Sequence, residues 1–314
     1  MKTLLSKVGR LILVIIVVTF LTQFLTSLVP GSLDQILAPF ATTQQRAEIR
    51  KDVGLDENFF VRYGKWLGDF SHGDMGRRYT GAQQSTSVGA EVKRALPISL
   101  ELMAWAQFLA LLVAVPLGVL CAYRAGKFVD RVVSGLSFAF LALPGFALAL
   151  LLAKYLGDAK ILPSQGYQPW GAGVWQHLRT LIIPAVSLAM GQLAVYARLL
   201  RTDLISTLQQ DFVAMAKAKG LKPGRILWRH ALRPSSLTLL TVVGLQTGAL
   251  IGTAVVVELI FNIPGMGSLI AYAIGQRQYV ELQSEVAVVA ILFVLVNFVV
   301  DYIYTLLDPR IRSG

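Results

Sequence analysis

Residues able to do chemistry are thinly spread in this chain, and their spacing excludes most kinds of it. The three histidines, His72, His177 and His230, lie far apart and share no metal-ligand spacing. The single cysteine, Cys121, falls inside an apolar run, so it supports neither a disulfide framework nor a cysteine-based zinc site. No G-x-x-x-x-G-K-[ST] phosphate loop occurs. The chain therefore cannot hydrolyse ATP by itself, and no cofactor is expected. No nucleophile–base pair or metal pair stands out within the apolar runs, as an intramembrane enzyme would need. The carboxylates of Glu101, Glu258 and Asp301 do lie in or beside such runs. A charge at membrane depth is costly and should face protein or a water-filled cavity.

The apolar runs themselves set the fold class. Hydrophobic residues make up 55% of the 314 residues and charged residues only 15%. Mean hydropathy is +0.61. An all-α integral membrane protein is the expectation. Six runs are long and apolar enough to cross a bilayer: residues 11–28, 100–123, 132–156, 181–200, 237–260 and 286–307. The first exceeds a usual signal-peptide core, and no small-x-small cleavage site follows before Pro30, so it is expected to be retained. Pro116, Pro144 and Pro184 fall within spans and predict local weakening of the backbone ladder.

The net charge of +11 would point to nucleic acid in a soluble protein. Here the basic residues sort by loop. Lys2, Lys7 and Arg10 precede the first span, Arg124, Lys127 and Arg131 follow the second, Arg198 and Arg201 follow the fourth, and Arg310 and Arg312 follow the sixth. By the positive-inside rule both termini lie in the cytoplasm and residues 31–96 form a large extracytoplasmic segment. The charge reports orientation, and no nucleic-acid partner is expected. Within the outer segment, residues 47–53 read as a short charged helix. Trp170 and Trp175 mark a short outer loop.

The most distinctive stretch is the basic insert at residues 206–234, tethered at both ends to apolar runs. It reads as helix, turn, helix. Ser206 or Thr207 is placed to cap the first helix, with Gln209, Gln210 and Asp211 in its first turn. Leu208, Phe212 and Ala216 recur at i, i+4, i+8, which puts them on one face. Lys217 and Lys219 suit the last turn, Gly220 suits a left-handed stop, and Pro223 suits the start of the second helix. A short helical pair held between two spans suits docking against another protein at the membrane surface. An ordinary basic loop would share its composition but not its capping order. Further on, Gly244, Gly248 and Gly252 form two overlapping GxxxG units, a smooth stripe for helix packing within or between subunits.

Two motifs carry a family resemblance. Asp211-Phe212-Val213-x-x-Ala216-x-Ala218-Lys219-Gly220-Leu221, followed by Arg229-His230-Ala231-Leu232-Arg233, resembles the coupling loop of ABC-importer permeases, above all the peptide/nickel group. Ala214 stands where other importers carry the glutamate that names the loop. Glu258-x-x-Phe261-x-x-Pro264-Gly265-x-Gly267 resembles a second signature of that group. Gly68-Asp69 and Gly73-Asp74-Met75-Gly76 resemble its outer segment, and Asp308-Pro309-Arg310 its ending. Asn58 and the run Arg277-Gln278-Tyr279-Val280 depart from the group, which has a proline at the first place and Arg-Asp-Tyr-Pro at the second.

The resemblance implies a type I importer permease fold: residues 1–30 as terminus and first helix, 31–96 outside, and 97–314 as the core with a cytoplasmic coupling loop at 202–235. It implies a transport subunit rather than an enzyme, in a bacterial inner membrane, carrying di- or oligopeptides. The expected partners are a second related permease, one or two ABC ATPase subunits, an extracytoplasmic solute-binding protein and membrane lipid. Asp211, Phe212, Ala216, Ala218, Lys219, Gly220 and Leu221 would couple to the ATPase. Glu258, Phe261, Pro264, Gly265 and Gly267 would belong to the translocation path or its gate. The alternative is a self-contained transporter driven by an ion gradient. It predicts paired ionisable groups near mid-membrane and internal repeats, neither of which is visible.

Overall fold

The computed structural model describes residues 2–28, 42–80, 85–159 and 161–307. These are almost wholly helical: α1 (Lys2–Leu28), α2 (Thr43–Asp52), α3 (Phe59–Ser71), a two-stranded ribbon of β1 (Arg77–Tyr79) and β2 (Ser85–Ser87), then α4 (Val88–Tyr123), α5 (Phe128–Ala142), α6 (Gly145–Asp158), α7 (Val174–Thr207), α8 (Asp211–Ala218), α9 (Leu232–Phe261), α10 (Met266–Gly275) and α11 (Tyr279–Leu307). Five helical stretches are long and apolar enough to cross a membrane, namely Leu11–Leu28, Val88–Tyr123, Val174–Thr207, Pro223–Phe261 and Tyr279–Val300. A sixth span exists if α5 and α6 are taken together.

That pair corrects the continuous third span expected at 132–156. The chain bends by 103° between the two helices. Leu143 is extended and Pro144 has no N–H to give. The residue before a proline is pushed out of the helical region, so the span breaks there. Pro184 has the opposite fate. It lies buried inside α7, which continues past it in both directions and is much longer than the expected 181–200.

The described residues fall into two compact units: residues 1–99 with 264–295, and residues 100–263 with 296–314. In the first, α3 lies against α1. The Gln23 amide donates to the carbonyl of Phe59 at 3.0 Å, the Tyr63 hydroxyl donates to the carbonyl of Ile16 at 3.1 Å, and Phe20 meets Phe59 and Tyr63 edge-on. One turn on from Tyr63, α3 buries Trp66, whose indole N–H donates to the Ser284 hydroxyl of α11 at 3.0 Å. The departure at Asn58 now has a reason. Its side-chain oxygen accepts from the N–H of Phe60 at 3.1 Å and caps α3, which a proline could not do. The short helix expected at 47–53 is α2, opened by a capping box of Thr42 and Gln45.

In the second unit α7 is the central post, packed by α5, α6 and α9. Its Tyr196, Leu200 and Leu204 are fully buried in a core shared with Ala110 and Ala114 of α4. Small residues let the helices approach: a Cβ at Gly118 would stand 3.1 Å from the carbonyl oxygen of Ala197. The glycine stripe of α9 divides. A Cβ at Gly244 would fall 1.9 Å from Cγ1 of Val300, so that glycine is filled from within the chain. Gly248 is buried, whereas a Cβ at Gly252 would meet open space. Gly244→Ala should therefore destabilise the protein by about 2 kcal/mol through overpacking. Gly252→Ala should be neutral or stabilising by up to about 1 kcal/mol through helix propensity. Thermal melting of the detergent-solubilised chain checks the opposite signs.

Candidate functional site

The insert at 206–234 is built differently from its expected outline. Ser206 and Thr207 cap nothing, because α7 runs on through them: the N–H of Leu208 bonds the carbonyl of Leu204 at 2.9 Å. The helix α8 opens instead at Gln210, which offers no side-chain cap. The break at 208–210 resets the helical register. Leu208 consequently falls outside the helix that carries Phe212 and Ala216. Val213 and Ala216 turn inward onto Ile226, with Leu208 and Leu221 packed beside them. Phe212 and Met215 turn outward, 39% and 58% exposed. Asp211, Ala218, Lys219 and Gly220 are exposed as well.

Gly220 does end α8. Its φ is +74°, in the left-handed region. The N–H of Leu221 reaches back to the carbonyl of Ala216 at 3.2 Å, and the N–H of Gly220 to that of Lys217 at 2.9 Å. This is a Schellman ending, completed by the contact of Leu221 with the Val213–Ala216 face. From Pro223 a helical turn and a π-helical turn, Ile226–Ala231, lead into α9, with Trp228 exposed. The result is a rigid eight-residue helix with an apolar outer ridge, flanked by lysines, between two long apolar helices.

The motif at 258–267 closes α9 and opens α10. Asn262 takes the left-handed conformation at φ +52°, and the N–H of Ile263 bonds the carbonyl of Glu258 at 2.9 Å. Asparagine tolerates that region better than most residues. Glu258 and Phe261 are buried, each 1% exposed. The carbonyl of Phe261 accepts from the N–H of Gly166 at 2.8 Å, which ties the 159–173 loop to the end of α9. Pro264 is exposed, whereas Gly265 and Gly267 are buried at the start of α10. There the N–H of Met266 donates to the Ser99 hydroxyl at 2.8 Å.

Comparison with known proteins decides what these two motifs belong to. Residues 114–313 match the family described as "binding-protein-dependent transport system inner membrane component". The chain belongs to this family. It is 34% identical to a probable peptide ABC transporter permease, y4tP of Sinorhizobium fredii, over 98% of both chains. It is 32% identical to the dipeptide transport permease DppB of Alkalihalophilus pseudofirmus over 96% of both, and 32% identical to the oligopeptide transport permease AppB of Bacillus subtilis over 94% of both. Its fold is similar to that of an inward-facing MetNI methionine ABC transporter chain, with a TM-score of 0.57 at 19% identity, covering 69% of this chain and 96% of that one. The permease is thus an inner-membrane transport component rather than an enzyme, and the ion-gradient alternative falls away.

Two clusters in the permease escaped the sequence. Glu101 lies within α4 and faces protein. Its carboxylate stands 2.7 Å from Nε2 of His177, which is completely buried. Nδ1 of that ring donates to the carbonyl of Gln168 at 2.6 Å, because a carbonyl can only accept. Trp170 stacks on the imidazole with centroids 4.0 Å apart, and Tyr167 meets it edge-on. Burial, with the charge of Glu101, pushes the Tyr167 hydroxyl above its ordinary pKa. The pairing pins the loop at Gln168 to α4 and α7.

The second cluster centres on Arg78 of β1. Its guanidinium pairs with Glu281 and stands 3.6 Å from Glu285 and 3.9 Å from Glu91, with its plane over Tyr272. Glu281 and Glu285 are fully buried. Burial opposes the charge on Arg78. The hydrogen bond to Glu281, followed by the charges of Glu281, Glu285 and Glu91, outweighs that opposition and raises its pKa. Next door, Gln278 completes the attachment. Its amide N–H donates to the carbonyl of Tyr79 at 2.6 Å, and its oxygen accepts from the N–H of Tyr79 at 2.8 Å. Burial and a hydrogen bond to Asp52 push the Tyr79 hydroxyl above its usual range. Val280 completes the contact by filling the space above Gly76, where a Cβ would come within 2.6 Å of it. No single spacing in the sequence announces Arg78, because all its partners but Glu91 lie some 200 residues away.

Two variants test these assignments. Gly220→Ala should cost about 1 kcal/mol by forcing a Cβ into the left-handed region, with no steric clash to add. Hydrogen exchange at the Leu221 amide should then rise by about fivefold. Arg78→Gln should destabilise the permease by about 3 kcal/mol, because it strands buried carboxylates. Adding Glu281→Gln to it should recover part of that loss in thermal melts.

Proposed function

We propose that this permease forms half of the translocation path of a peptide importer, with α8 as the element seated in a groove of a partner ABC ATPase. The relatives at 32–34% identity are named as peptide, dipeptide and oligopeptide permeases, which supports peptide as the cargo class. In this reading the α8 side faces the cytoplasm together with both termini. Residues 31–96 lie outside and receive a solute-binding protein, and residues 97–314 form the core beside a second, related permease. ATP-driven closure of the ATPase would move α8 and rock the spans between inward-open and outward-open states. The segment holding Glu258, Phe261, Pro264, Gly265 and Gly267 would border the path or its gate.

The observation that carries the reading is the outward ridge of Phe212 and Met215 on a helix whose inner face and C-terminal stop are both fixed. An ordinary basic loop would need neither. A cysteine at Met215 should form an oxidative cross-link to a cysteine in the partner ATPase groove when the complex is assembled in membranes. A cysteine at Trp170, in the outer loop, should not. Labelling of the Met215 cysteine by an impermeant reagent from the outside would overturn the orientation and the docking together.

A further inference from the structure

Movement of α8 is useful only if something carries it to the spans. Leu208 packs against both the α8 cluster and the main core, touching the groups around Val213 and Ala216 on one side and those around Leu200 and Leu204 on the other. Beneath it, the Thr207 and Ser235 hydroxyls meet at 2.9 Å. Ser235 donates to the carbonyl of Ala231, so Thr207 is the donor between them. The foot of α7 and the foot of α9 are joined by a buried hydrogen bond and by packing. A push on α8 is therefore delivered to α7 as a rigid rod.

Two arginines one turn apart on α7 then grip α5. Arg201 clasps Asp130 with two parallel N–H bonds, Nε to Oδ1 and Nη2 to Oδ2, the latter at 2.7 Å. Arg198 lies over the ring of Phe138, 5.0 Å from its centroid. Asp130 is 3% exposed. It also accepts from the N–H of Gly126 at 2.8 Å and from the Ser134 hydroxyl at 3.5 Å. The same carboxylate thus fixes the turn before α5, where Gly126 sits at φ +76°, and the first turn of α5 itself. A two-point fork between a half-buried guanidinium and a buried carboxylate fixes direction as well as distance. At its far end α5 reaches the break at Leu143–Pro144, the one bent span among the described residues. A rod gripped at one end and hinged at the other converts displacement into rotation.

We infer that the Arg201–Asp130 fork is the positioning link that transmits movement of α8 to the broken span α5–α6. The inference rests on the docking reading of α8 and adds the next step in the chain of force. Asp130 and Arg201 touch neither cargo nor nucleotide in this scheme; they act through α5.

The test uses the whole complex, with both permeases, its ATPases and its binding protein, reconstituted in liposomes, with the Met215 cysteine cross-link as an internal control. Measured are peptide taken up per ATP hydrolysed and the yield of cross-link. In Asp130→Asn and in Arg201→Gln the uptake per ATP should fall by about tenfold, while cross-linking and ATP hydrolysis persist. Asp130→Glu, which keeps the charge, should restore most of the ratio. If Asp130→Asn fails to assemble, Arg201→Lys decides: it keeps the cation, gives up the fork, and should lower the ratio with the cross-link intact. An unchanged ratio with normal cross-linking would overturn the link alone. A loss of uptake that only follows loss of cross-link and hydrolysis would reduce the pair to a fold-stabilising contact and overturn it too. No cross-link in the parent would overturn the docking reading and the link with it.

Discussion

A helix end leaves its last carbonyl oxygens without partners inside the helix, and this constraint shapes both segments that carry the family motifs. Three helices end in the same way. Gly220, Asn262 and Arg277 each take the left-handed conformation, at φ of +74°, +52° and +54°. In each case the next residue reaches back to the carbonyl five positions earlier: Leu221 to Ala216, Ile263 to Glu258, and Gln278 to Ala273. Two of the three use residues with a Cβ, at a cost of about 1–2 kcal/mol each. The benefit is a stop of fixed direction, so that the following residues emerge at a defined place. The motifs by which the family is recognised sit at the first two of these stops.

The same logic explains the contrast between Pro144 and Pro184. Both remove a donor, yet one breaks its span and the other is carried within a helix. Pro184 is surrounded by buried neighbours on α7, the most enclosed of the spans. Leu143 and Pro144 are exposed on the surface of the chain, where little packing holds the backbone to a straight course. Enclosure alone does not decide the outcome, because Pro116 is also exposed and α4 runs through it unbroken.

Much of this was legible in the sequence. Hydropathy located the spans, because a run of twenty apolar residues admits few other fates. Gly220 and Pro223 announced a stop and a start, because each is suited to one backbone role. The failures share a cause. Ser206 and Thr207 looked like caps because capping is a local signal, but α7 had enough packing to run through them. Leu208, Phe212 and Ala216 looked like one face because periodicity assumes a continuous helix, and the break at 208–210 takes Leu208 off the helix that carries the other two. Glu101–His177, Asp130–Arg201 and Arg78–Glu281 were invisible for a plainer reason: each pair is assembled by the fold from residues 76, 71 and 203 positions apart. Asp308-Pro309-Arg310, part of the resemblance, lies outside the described residues, as do parts of the segment 31–96.

The grip of Gln278 on Tyr79 has a consequence for the ribbon it holds. In an antiparallel pair the N–H and C=O of one residue point to the same edge. Both groups of Tyr79 are taken by a single amide, which acts as a third strand one residue long. A carboxylate could accept from the N–H but could not donate to the C=O, so aspartate here would leave half the edge open. With glutamine the edge at Tyr79 is sealed without adding a charge to a neighbourhood already crowded with glutamates. A visiting polypeptide seeking to extend this ribbon by strand addition would find that edge occupied.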